Sequence, residues 1–109
     1  MFALLIALAA VTPVAAPAAD ATCLIIGRQL EHQVVSDQEL WVRAGGRWHR
    51  SVLPDGCPGL TQNRILVRRN ASTRLCANDL FEVRDNFTPQ MFSLCRFGRF
   101  EAMPKGAKP

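Results

Sequence analysis

The segment Leu40-Trp41-Val42-Arg43-Ala44-Gly45-Gly46-Arg47-Trp48-His49-Arg50-Ser51-Val52 decides the fold class. Two runs rich in β-branched and aromatic residues flank adjacent glycines, the pattern of an antiparallel hairpin. Loop length then sets which side chains share a face. A two-residue Gly45-Gly46 turn pairs Ala44 with Arg47 and places Leu40 and Val42 beside His49 and Ser51. A three-residue loop ending on a left-handed Gly46 pairs Arg43 with Arg47. Leu40, Val42, Trp48 and Val52 then share one face, with Arg50 the lone misfit. The second register yields an apolar face worth burying and is the expected one.

Working outward, short strands are expected at residues 23–26, 64–68, 79–84 and 91–101, with Gly98 as a bulge in the last. Pro54-Asp55-Gly56, Cys57-Pro58-Gly59-Leu60 and Asn70-Ala71-Ser72-Thr73 read as turns between them. Asn70-Ala71-Ser72 and Asn86-Phe87-Thr88 match the glycosylation acceptor pattern and mark exposed turns. Five or six short strands with little helix predict an all-β, mainly antiparallel fold, a small barrel or sandwich. The expected core is Leu40, Val42, Trp48, Val52, Ile65, Val67, Leu80 and Phe81.

The ends of the chain differ from this middle. Residues 1–11 are an apolar run too short to span a bilayer, followed by small residues with two Ala-x-Ala sites, Ala16-Pro17-Ala18 and Ala19-Asp20-Ala21. Residues 1–21 therefore read as a signal peptide, 22–102 as one β-rich domain and 103–109 as a disordered tail carrying two prolines and a glycine. An exported chain of this kind is periplasmic or secreted, with no transmembrane segment after cleavage.

What remains after cleavage is near the lower limit for a self-sufficient core and needs staples. Cys23, Cys57, Cys76 and Cys95 all fall in this part, and an even number in an oxidising compartment predicts two disulfides. Asp20, Ala21 and Thr22 before Cys23 fit lipid attachment badly, so Cys23 reads as a disulfide partner. The scattered spacing lacks the knuckles of a zinc site, and neither metal nor cofactor is expected. Cys76 and Cys95 precede or open successive antiparallel strands and so tend toward opposite ends, which disfavours joining them. Of the two remaining connectivities, Cys23–Cys95 with Cys57–Cys76 is the expected one.

These residues form an ordered series: Val35-Ser36-Asp37-Gln38-Glu39-Leu40, Arg47-Trp48-His49-Arg50, Leu53-Pro54, Cys57-Pro58-Gly59-Leu60, Leu75-Cys76-Ala77-Asn78-Asp79 and Cys95-Arg96-Phe97-Gly98-Arg99-Phe100. The series resembles a family of small exported four-cysteine proteins of Gram-negative bacteria, a domain of unknown function. The resemblance spans nearly all of the chain after the signal peptide. It implies a compartment and a disulfide framework, and no activity. That family often carries tyrosine at the position of His49, which implies that no imidazole is required there.

The formal net charge of +4 comes almost wholly from arginine, Lys105 and Lys108 being the only lysines. A modest positive excess is ordinary solubility charge, yet it also suits anionic polymers. Trp41 and Arg43, with Arg64, Arg68 and Arg69, are the candidate polyanion-binding residues, an aromatic platform interleaved with arginine. The enzyme alternative is a ribonuclease-like phosphodiesterase. In the expected register Glu39, Arg43, Arg47 and His49 share the outward face, as base, acid and phosphate clamp. Against it stands the plainer reading of a solvated strand face. His32 reads as a loop residue, and no serine lies in a nucleophile elbow. The expectation is a non-catalytic binding or envelope-associated module whose partner is an envelope protein or an anionic polymer.

Overall fold

The computed structural model describes residues 20–27, 29–70, 72–88 and 90–109. Most of the expected signal peptide, residues 1–19, lies outside them. Among the described residues the fold is all-β and antiparallel, with no helix. The strands are shorter and more numerous than expected. They are β1 (Asp20–Ala21), β2 (Cys23–Ile25), β3 (His32–Val34), β4 (Glu39–Ala44), β5 (Arg47–Val52), β6 (Ile65–Arg68), β7 (Arg74–Cys76), β8 (Leu80–Arg84), β9 (Met91–Arg96) and β10 (Phe100–Ala102). A five-stranded sheet in the order β1-β10-β5-β4-β3, a three-stranded sheet β6-β8-β9 and the ribbon β2-β7 make a sandwich-like arrangement rather than a closed barrel.

The decisive hairpin takes the register that was not expected. Ala44 pairs with Arg47, so the turn is the two residues Gly45 and Gly46, both with positive φ (60° and 74°). That is a type I′ turn, whose twist matches the strands it joins and whose backbone favours glycine at both central positions. Leu40 and Val42 consequently face His49 and Ser51, whereas Trp48 and Val52 turn to the opposite side with Glu39, Trp41 and Arg43. β4 has no single apolar face, because its central residues are buried on both sides. Leu40, Trp41 and Val42 are all buried, which erases the alternation that would have revealed the register.

One core unites the three sheets. Leu24 and Ile26, Val34, Leu40 and Val42, Leu53, Leu60, Leu75, Phe81 and Val83, Phe97 and Phe100 pack together with Cys57 and Cys95. Phe97 is its centre, with ring centroids 4.5 Å from Phe81 and 6.0 Å from Phe100. Each such ring stabilises the fold by about 1.5–3 kcal/mol relative to exposure. Of the expected core, Leu40, Val42 and Phe81 are buried, and Trp48 and Val67 are half-buried. Val52, Ile65 and Leu80 are exposed instead, because they lie on the outward faces of their strands.

The expected last strand is two strands. β9 belongs to the three-stranded sheet and β10 to the five-stranded one, and Phe97-Gly98-Arg99 carries the chain between them. Gly98 is therefore a crossing point rather than a bulge. A Cβ there would overlap the Val52 carbonyl oxygen, and its N–H donates to the Ser51 hydroxyl at 2.9 Å. Ser51 is fully buried, so this bond ties the crossing to β5 away from water.

The four cysteines pair, but as Cys23–Cys76 and Cys57–Cys95. The expected connectivity fails because the chain start serves two sheets. β1 pairs with β10, and two residues later β2 pairs with β7, which sets Cys23 opposite Cys76. Cys95 on the inner face of β9 then meets Cys57 in the turn. The Leu75–Asp79 motif has a local cause. The Asp79 carboxylate accepts the Cys76 N–H at 2.8 Å, and Ala77 N–H donates to the Thr22 carbonyl at 2.6 Å, closing the turn onto the ribbon.

Candidate anion-binding surface

The outward face of the five-stranded sheet carries the charge. Arg50 on β5 lies between Glu39 of β4 (3.8 Å) and Glu101 of β10 (3.4 Å), following the strand register. Trp41 lies on the same face but is buried, and its indole Nε1–H donates to Glu39 at 2.9 Å. It is no open platform for a base or sugar. Arg43 stands at the end of this row, 3.7 Å from Glu31, with its guanidinium 5.9 Å from the Trp48 ring centroid.

The other expected anion binders belong to a different sheet. Arg64, just before β6, stacks over Phe92 at 3.7 Å and donates to the Gly59 carbonyl. Arg68, at the far end of β6, donates to the Ser72 and Arg74 carbonyls at 3.0 and 3.2 Å. Arg69 pairs with Glu82 at 3.6 Å, a carboxylate that Arg84 also holds at 3.1 Å. The structure thus brings Trp41 and Arg43 together and leaves Arg64, Arg68 and Arg69 apart from them, largely occupied with fastening loops.

A second grouping is one that sequence reasoning missed. The 103–109 tail, expected to lack order, runs back beside the hairpin. Met103 N–H donates to the Trp48 carbonyl at 2.9 Å and Ala107 N–H to the Pro104 carbonyl at 2.9 Å. Arg43, Arg47, Trp48, Lys105 and Lys108 thereby line a cleft of about 170 Å³ between the β4–β5 turn and the tail. Among the described residues Arg43 has Glu31 as a partner, and no ion pair engages Arg47, Lys105 or Lys108. The signal available in the sequence was that both lysines lie just beyond the last strand.

The phosphodiesterase constellation is divided by the hairpin register. Glu39 and Arg43 point to one face of the sheet, Arg47 and His49 to the other. His49 has Val42 and Ala102 as cross-strand neighbours, and its Nδ1 lies 3.1 Å from the Arg47 carbonyl. Burial among these groups lowers its pKa below the usual 6.5, the bond to Arg47 opposing the shift. His32, expected in a loop, is on β3 opposite Val42. Among the described residues no three His, Cys, Asp or Glu side chains gather as a metal site, and no helix is long and apolar enough to cross a membrane. Comparison with protein families, with curated proteins and with solved structures yields no match for this chain.

Proposed function

We propose that the chain is an exported, disulfide-stapled binding module of the periplasm or extracellular space, without catalysis of its own. Its partner on this reading is an envelope protein or an anionic polymer. The observation that carries the proposal is that all four cysteines are closed into two disulfides joining strand to strand and turn to sheet. Such a framework suits a small domain in an oxidising compartment. The placement of Glu39 and His49 on opposite faces supports a binding role over the phosphodiesterase alternative, because an acid and a base must reach one substrate from one side.

The test is the intact mass of the exported protein with free thiols alkylated, before and after reduction. The expected result is a chain lacking its leader, with no thiol labelled until reduction. Cleavage after Ala18 rather than after Ala21 is expected, because it keeps Asp20 and Ala21, the strand that pairs with β10. A full-length protein that stays in the cytoplasm with labelled cysteines would overturn the proposal. So would turnover of RNA that His49→Ala abolishes.

A further inference from the structure

The cleft between the β4–β5 turn and the tail, about 170 Å³, is lined by Trp48 and by four cationic residues, of which Arg43 shares the Trp48 face of the hairpin while Arg47 points to the other. Pockets that enclose a small molecule run from about 300 to 1,000 Å³, so this one is too small to engulf a free ligand of that size. It has room for one ring or one acidic group of something that continues past it. Three of the cations, Arg47, Lys105 and Lys108, have no carboxylate partner among the described residues. Arg50, Arg69 and Arg84 are balanced by Glu39, Glu101 and Glu82. Although Arg64, Arg68, Arg74 and Arg99 also lack a carboxylate among the described residues, here two such cations, Lys105 and Lys108, line one cleft beside an indole. An indole offers an apolar surface to a sugar ring, and guanidinium and ammonium groups beside it suit that ring's acidic substituents.

We infer that this cleft binds an acidic polysaccharide, seating one sulfated or carboxylated sugar between Trp48 and the cations Arg43, Lys105 and Lys108. The inference rests on reading the chain as a binding module and names the ligand class of that module. It predicts that the tail is part of the site, since two of the three cations come from it.

The experiment titrates the full exported chain with a heparin hexasaccharide as probe, following tryptophan fluorescence, with neutral dextran and a single-stranded oligonucleotide in parallel. The expected result is saturable heparin binding that weakens at least tenfold between low and moderate salt, with no response to dextran. Lys105→Ala with Lys108→Ala should weaken it at least tenfold, whereas Arg68→Ala with Arg69→Ala should stay within twofold of the parent. Lys105 and Lys108 are exposed, and an unchanged melting temperature of that pair shows that the fold persists. Absence of heparin binding, equal losses in the two double variants, or tighter binding of the oligonucleotide would overturn the inference. Intact mass on the same preparation separates the two failures: an exported, fully disulfide-bonded chain that ignores heparin removes the acidic polysaccharide and leaves the proposed module standing.

Discussion

Replacing Ser51 by alanine tests whether the crossing between the two larger sheets is held by one buried hydrogen bond. The Ser51 hydroxyl accepts the Gly98 N–H at 2.9 Å, and Ser51 is completely buried. Alanine removes the acceptor and leaves the N–H in the interior without a partner, a loss of about 1–3 kcal/mol. At about 0.05–0.15 kcal/mol per residue a domain of this size has roughly 4–13 kcal/mol in total, so the loss is a substantial share. Each 1 kcal/mol lowers the melting temperature of so small a domain by about 4–8 °C. Ser72→Ala is the matched control, since Ser72 also accepts a backbone N–H, that of Arg74 at 3.0 Å, but in an exposed turn. There water replaces the lost acceptor, and the change should stay within about 0.5 kcal/mol. Urea unfolding with both disulfides intact gives the two values. A Ser51→Ala protein within about 0.5 kcal/mol of the parent, or as weakened as Ser72→Ala, would refute the reasoning.

Three further outcomes are expected. Gly98→Ala should destabilise by about 1–3 kcal/mol or more, since its Cβ overlaps the Val52 carbonyl oxygen; an unchanged melting temperature would mean the crossing is loose. The loops closed by Cys23–Cys76 and Cys57–Cys95 span 53 and 38 residues, for which chain entropy alone gives about 4.2 and 3.9 kcal/mol. Those values nearly coincide, so burial should decide. Cys57→Ala with Cys95→Ala leaves a cavity in the core and should cost more than Cys23→Ala with Cys76→Ala, and the reverse order in denaturant midpoints would contradict this. Because the folded pKa of His49 lies below 6.5, the unfolded chain takes up that proton first as pH falls. The stability this group supports is complete above 6.5 and declines as pH drops from there toward the folded value. His49→Tyr should flatten that part of the stability–pH curve, and an unaltered slope would show that the imidazole is not the group responsible.

The sequence by itself determined the β-rich class, the antiparallel hairpin at residues 40–52, the turns at Pro54 and Cys57, and the pairing of all four cysteines. These are local matters: alternation, glycine and proline chemistry, and the even count of thiols act within a few residues or need no partner to be named. The tertiary structure alone decided the hairpin register, because Trp41 is buried on the face opposite Leu40 and Val42 and the alternation that sets register was lost. It decided the disulfide connectivity, because neighbouring stretches at the chain start enter different sheets, a choice made by long-range packing. It also decided the candidate site. Trp48 and the tail lysines come together because the chain after β10 continues alongside β5, Met103 N–H donating to the Trp48 carbonyl, and so carries Lys105 and Lys108 to the turn end of the hairpin.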